Sequence, residues 1–307
     1  NKLDQATAAD AYTTALRLFR AIQDRDQEAA CLAGLADVAM LQGAIDQAVV
    51  LYAEARDLAH MVGNTAAEVK CITRLGEIDF RTGNYSEARN AFLQSLRLLD
   101  EIDLPVFAAA NWMGLGELAL FAGQNDEAEA NYRKAFPLYQ EAGHLQGIAM
   151  THLRLGDVKM ARGQFQVAYE SYQQALPALR QFCDAPVLIN CLQSFGNAAL
   201  RVGDAEAAEA AFIESLAICR EISYPHGIAV STGGKAEVAL ARGDVASAQD
   251  GFLDALTHFE QAGWVLGVAN SLRNLAECAL VIEDFESARK YLEQAATQYR
   301  MIDSLQD

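Results

Sequence analysis

Carboxylates recur in this chain at a fixed interval. Asp37, Glu77, Glu117, Asp157, Glu237 and Glu277 share one slot of a 40-residue frame, and Asn197 fills the remaining one. Carboxylates in register can accept hydrogen bonds from a ligand and draw in a basic segment over long range. Basic side chains stand near them in sequence: Lys70, Arg74, Arg154 and Arg273. Arg74 precedes Glu77 by three residues, and Arg154 precedes Asp157 by three. That spacing also suits ion pairs within a single helix. Two readings therefore stand side by side, a charged binding surface and a set of local pairs.

Three other patterns bear on chemistry. Thr232-Gly233-Gly234-Lys235-Ala236 has the glycines and lysine of a phosphate loop. It lacks the earlier glycine and the following Ser or Thr that such a loop needs, and it falls in mid-helix of the repeat frame. His60, His144, His152, His226 and His258 are dispersed, with no partnered nucleophile. Cys31, Cys71 and Cys191 share one slot, while Cys183, Cys219 and Cys278 do not, and no CxxC pair occurs. These thiols read as small buried side chains in a reducing compartment. The expectation is a protein without catalysis, cofactor or metal.

The elements that position these residues follow from the same period. Glycine returns at Gly43, Gly83, Gly123, Gly163, Gly203 and Gly243, with Glu283 in the seventh slot. Alanine follows at Ala48, Ala88, Ala128, Ala168, Ala208, Ala248 and Ala288. A large residue comes next at Tyr52, Phe92, Tyr132, Tyr172, Phe212, Phe252 and Leu292. A strict period of this length marks a solenoid whose repeats touch only their neighbours.

Residues 66–105 serve as the type unit. Val69, Ile72, Leu75 and Ile78 make its first half an amphipathic helix. Gly76, repeated at Gly116, Gly156 and Gly196 and replaced by Ala36, Ala236 and Ala276, implies a close helix crossing. Gly83 ends the helix in a left-handed turn, and a second helix starts at Tyr85 or Ser86. Two antiparallel helices of about 17 residues with a two-residue turn cannot bury their faces alone. Stacked, they build one core.

These residues resemble the tetratricopeptide repeat, as Trp112-x2-Leu115-Gly116, Gly123, Ala128, Tyr132 and Ala135 show. Leu155-Gly156, Gly163, Ala168, Tyr172 and Ala175 repeat the pattern. The period exceeds the family's usual ~34 residues. With His144-Leu145-Gln146-Gly147-Ile148-Ala149 between repeats, the chain is similar to the long-helix subclass of bacterial signalling ATPases, transcriptional activators and polarity adaptors. The resemblance implies an all-α, right-handed superhelical solenoid of about seven and a half repeats. Residues 1–25 are the second helix of an incomplete repeat, and full repeats span 26–65, 66–105, 106–145, 146–185, 186–225, 226–265 and 266–305. A single solenoid over 1–307 is expected, belonging to a longer parent protein.

Departures are expected to matter. Lys235 replaces a recurrent leucine, so it must snorkel or pair. Pro137 and Pro177 lie within second helices of adjacent repeats and predict a coordinated kink.

In the family the first helices line a concave groove. Carried over by slot, the acidic column becomes one stripe of that groove, and Asn197 sits where relatives use asparagine to hold a peptide backbone. An apolar stripe comprises Met40, Phe80, Leu120, Met160, Leu200, Leu240 and Leu280. A mixed stripe comprises Thr73, Met113, Leu153, Gln193 and Arg273. Repeats two to four are richest in groove-like side chains, with Lys70, Arg74, Phe80, Met113, Phe121, Leu153 and Met160. Carboxylate-clamping relatives use lysine, arginine and asparagine; Asn190, Asn270 and Asn274 are further pieces of that kit, but not in the clamp's pattern.

The net charge of −17 opposes nucleic acid and anionic membranes as partners. No run approaches the ~20 apolar residues that span a bilayer, and no secretory signal opens the chain at Asn1. The reading is a scaffold or regulatory module of a larger cytoplasmic protein, binding a peptide or domain with basic and apolar residues in its groove. The alternative is a small-molecule sensor with a pocket lined by Trp112, Tyr224 and Trp264. Self-association through uncapped ends is a third possibility.

Overall fold

The computed structural model describes residues 2–303, and every element among them is an α-helix. The first unit by contact density, Asn1–Thr151, holds α1 (Lys2–Ile22), α2 (Arg25–Leu41), α3 (Ile45–Val62), α4 (Thr65–Arg81), α5 (Tyr85–Leu99), α6 (Pro105–Phe121) and α7 (Asn125–Glu141). The boundary falls within α8 (Leu145–Ala161). The second unit, His152–Asp307, holds α9 (Phe165–Phe182), α10 (Ala185–Val202), α11 (Ala205–Glu221), α12 (Pro225–Ala241), α13 (Val245–Gln261), α14 (Val265–Val281) and α15 (Phe285–Asp303). Even-numbered helices are the first of each pair. They begin at 25, 65, 105, 145, 185, 225 and 265, one register of the 40-residue frame.

The turns reveal a shorter beat. Every described residue with positive φ, from Gln23 through Gly43, Gly63 and Gly83 to Glu283, lies on a 20-residue spacing. The residue after each left-handed one reaches back five positions, as Ala44 N–H to Ala39 O at 2.9 Å and Asn84 N–H to Asp79 O at 2.8 Å. This closes the last turn and satisfies carbonyls that the helix leaves open. Turns within a pair run three residues, as in Thr82-Gly83-Asn84, one more than the sequence suggested, except between α10 and α11, where Gly203-Asp204 makes the two-residue turn. The beat skips at 103 and 183, where Pro105 and Pro186 follow. Proline alone does not account for the skips, because Pro225 stands in the slot of Pro105 and the turn before it keeps the left-handed Ser223.

Between the turns, packing follows the recurring small and aromatic residues. Alanines 48, 88, 128, 168, 208 and 248 are fully buried, as are the aromatic rings that follow them. Four of these rings press on a mid-helix glycine of their own pair: Phe92 on Gly76, Tyr132 on Gly116, Tyr172 on Gly156 and Phe212 on Gly196, while Ala36 and Ala236 fill that slot in the pairs of Tyr52 and Phe252. A Cβ at Gly156 would come 2.6 Å from Tyr172, and one at Gly196 would come 2.7 Å from Phe212. Several rings also press on a glycine of the next pair: a Cβ at Gly114 would lie 2.5 Å from Phe92, between Gly76 and Gly114. The ~1 kcal/mol that a helical glycine costs is offset by burying an aromatic side chain, worth roughly 1.5–3 kcal/mol.

Neighbouring first helices are joined at a separation of 38 residues. Thr73 bonds Asn111 at 3.3 Å, Thr151 donates to Met113 Sδ at 3.4 Å, and Gln193 donates to Ser231 at 3.0 Å. Pro137 and Pro177 sit inside α7 and α9, which both continue past them.

Candidate functional site

Acidic-slot residues on the first helices meet the recurring ring of the second helix. Tyr172 donates to Asp157 at 2.9 Å, and Tyr52 donates to Asp37. Burial first, and then the neighbouring carboxylate, push both phenols well above their usual range. Carboxylate and tyrosine are 15 residues apart, so the slot latches one helix of a pair to the other. Where the ring is Phe92, Glu77 instead pairs with Arg74 at 2.7 Å.

In the first unit, Asp37, Met40, Tyr52, Lys70, Arg74 and Glu77 line a pocket of about 390 Å3. Lys70 Nζ lies 2.9 Å from Asp37 Oδ2. The four charges the sequence singled out are thus gathered here, but each is matched by a neighbour. Ion pairs this exposed are worth about 0–1 kcal/mol. Asp157 likewise takes Arg154 at 3.2 Å beside its tyrosine.

Other expected groove residues lie elsewhere. Met113 and Leu153 are buried, at 8% and 1% exposure, because their slot faces the adjacent first helix at the 38-residue separation. Gln193 is spent there too, on Ser231 and on Gly227 O at 3.2 Å. Phe80 packs beside Phe92 and Leu115, and its ring lies 5.9 Å from that of Tyr85. Phe121 is exposed at the end of α6, with its ring 4.6 Å from Tyr85. Glu117 and Met160 are half-buried, and Glu277 is exposed.

The second unit offers a different arrangement. Asn197 of α10, Glu237 of α12, and Asn270 and Asn274 of α14 converge with Trp264 on a pocket of about 190 Å3. Gly233 and Gly234 contribute no side chains to it. Asn274 Nδ2 donates to Glu237 Oε1 at 3.3 Å, and Arg273 donates to Asn274 Oδ1 at 3.2 Å. Tyr299 holds Asn270 Oδ1 at 2.7 Å. Trp264 meets Phe259 edge-on at 5.0 Å and His226 at 4.2 Å. Burial pushes the Glu237 carboxyl up, with Asn274 and Arg273 opposing that shift. In the sequence Asn274 was visible only as a scattered amide, whereas Asn197 stood in the slot where relatives use asparagine to hold a peptide backbone.

Of the three aromatics named for a sensor pocket, Tyr224 and Trp264 lie in the second unit. Trp112 belongs to the first unit and stacks under Lys134 at 3.9 Å. Trp264, without Tyr224, lines the asparagine pocket. Thr232–Ala236 lies within α12 and forms no loop.

Stacked helix pairs with an aromatic ring wedged on glycine define a helical-repeat protein of the tetratricopeptide class. The family described as the MalT-like TPR region matches residues 75–298, and a tetratricopeptide repeat family matches residues 28–101. The chain belongs to the MalT-like TPR region family. No curated protein matches it in sequence.

Solved structures share the fold at low identity. A signal transduction ATPase with numerous domains from Pyrococcus horikoshii, with a tetratricopeptide repeat sensor, aligns at 13% identity and TM-score 0.69, covering 95% of this chain and 45% of that one. The Rap conjugation gene regulator of plasmid pLS20, in complex with a Phr peptide, aligns at 15% identity and TM-score 0.60, covering 94% and 78%. BtubC from P. vanneervenii aligns at 17% identity and TM-score 0.58, covering 72% and 92%. No helix among the described residues is long and apolar enough to cross a membrane.

Proposed function

We propose that this chain is a regulatory interaction module that takes an extended peptide segment on the first-helix face of its second unit. The carrying observation is the convergence of Asn197, Asn270, Asn274 and Glu237 on one pocket. A side-chain amide offers a donor and an acceptor together, the complement of a peptide group. Successive amides on parallel helices can therefore hold a backbone while adjacent pockets select side chains. Trp264 supplies an apolar wall for one such side chain. The peptide complex of the Rap regulator supports the ligand class. We place the module in a reducing, cytoplasmic setting within a larger regulatory protein; a sensor built from similar repeats in the ATPase supports that context.

The test is selection of displayed random peptides on the full chain, followed by fluorescence polarisation with labelled hits. Asn197→Ala and Asn274→Ala are each expected to weaken binding about tenfold, the effect of losing one or two hydrogen bonds in a desolvated site. Glu77→Lys, in the internally paired pocket, is expected to leave affinity within about twofold. Hits unaffected by both asparagine changes would refute the assignment.

A further inference from the structure

The Thr232–Lys235 segment also borders a second pocket, of about 500 Å3, bounded by α11, α12 and α13. It shares no lining residue with the asparagine pocket and lies where the first helix α12 meets the second helices α11 and α13. Two departures from the repeat meet there. Lys235 stands where Leu35, Leu75, Leu115, Leu155 and Leu275 stand in other repeats, and it is exposed. Gly251 lets α13 approach Ala236, to which a Cβ would come within 2.8 Å, and gives the wall no side chain.

Thr232 lines this pocket at 9% exposure, and its hydroxyl has no hydrogen-bond partner. Other helical threonines here bond the carbonyl four residues back: Thr151 at 2.8 Å, Thr257 at 2.9 Å and Thr297 at 2.9 Å. A buried hydroxyl left unmatched is costly. Rotation about its Cα–Cβ bond exchanges methyl and hydroxyl at the pocket wall.

The charges around it are segregated. Arg220 comes from α11 and Lys235 from α12, whereas Asp250 and Asp254 both come from α13. Arg242 is neutralised by Glu209 at 2.7 Å, and Asp244 is engaged in capping α13 through the Ser247 N–H. His258 lies 3.6 Å from Asp254. A phosphate would meet the two aspartates, and a polyamine would meet the two cations. A ligand carrying both charges suits both walls.

We propose that this pocket binds a small zwitterion bearing an ammonium and a carboxylate, either a free amino acid or a short unblocked peptide. The carboxylate sits against Lys235, Arg220 and the Thr232 hydroxyl. The ammonium sits against Asp250 and Asp254. The site is independent of the peptide-binding face.

Isothermal titration of the full chain tests this with glycine, leucine, glutamine, diglycine and trialanine, each also as its N-acetyl and its C-amide derivative. At least one free zwitterion is expected to bind with a Kd below about 1 mM, and blocking either end weakens it at least about tenfold. Tighter binding of the amino acids than of the peptides names the source. Lys235→Leu restores the repeat's own residue, so the protein stays folded while affinity falls at least about tenfold. Thr232→Val, nearly isosteric, is the second variant: the fold stays as stable or gains stability, and the ligand is lost in part. Absence of binding by every free zwitterion overturns the proposal. So does binding that survives blocking of both ends, or equal binding by Lys235→Leu and the wild type.

Discussion

Gly233 and Gly234 are adjacent in α12, yet alanine at these two positions should move stability in opposite directions. A Cβ at Gly233 meets nothing nearer than the Ala255 Cβ at 3.7 Å, an ordinary contact. Gly233→Ala therefore gains the helix propensity difference, about 1 kcal/mol. A Cβ at Gly234 would enter the ring of Phe212, lying 2.5 Å from its Cζ. That ring is fully buried and pressed from the other side by Gly196. Overpacking of this kind costs roughly 1–3 kcal/mol. Subtracting the same propensity gain leaves Gly234→Ala destabilising by up to about 2 kcal/mol. Urea unfolding followed by far-ultraviolet circular dichroism reads both changes. If Gly233→Ala destabilises, or Gly234→Ala matches it, the wedge of ring on glycine does not organise this fold.

Three further outcomes follow from the packing and the titrating groups. Tyr172→Phe, which strips the bond to Asp157, should cost about 1.5–3 kcal/mol by the same unfolding assay; a loss indistinguishable from zero would deny the latch. Burial raises the folded pKa of Glu237 above its unfolded value, so its contribution is fully present below the unfolded pKa and lost as pH rises through the folded one. Glu237→Gln should therefore raise the melting temperature at pH 7 and lose that advantage near pH 4; a constant difference across pH would contradict the assignment. Cys71 and Cys191 are buried, with thiols pushed up to about 11 and about 12, whereas Cys183 is half-buried. Iodoacetamide at pH 8 should modify Cys183 first by at least about tenfold, as mass spectrometry of timed digests would show.

The helix pairs were legible because glycine, alanine and a ring return in one register, and each has a single physical use there. The glycine slot even identified Glu283, whose φ of 63° makes a charged residue adopt the turn. The face was harder to read. A first helix packs against its own partner and against the next first helix, so Met113 and Leu153 are covered although a single amphipathic pattern leaves them outside. The tyrosine latch was encoded in the sequence: Tyr52 and Tyr172 stand 15 residues after Asp37 and Asp157, whereas Phe92 follows Glu77. The spacing falls between helices rather than along one, so helical periodicity does not reveal it. The asparagine pocket depends on three helices at once: the repeat frame put Asn197 and Glu237 in one stripe, and only the fold adds Asn270 and Asn274 to them.

The left-handed turns every 20 residues, set against faces that alternate every 40, constrain how the length of such a chain can vary. Excising residues 44–83 joins Gly43 to Asn84 and leaves each later helix in its former role. Excising residues 44–63 keeps every remaining turn on its beat but converts first helices into second ones. Phe92 would then fall in the slot of Ile72, and Gly76 would no longer have a ring to receive. Half-repeat changes would pass unnoticed by the turns and be rejected by the core, so gains and losses of length are confined to whole pairs.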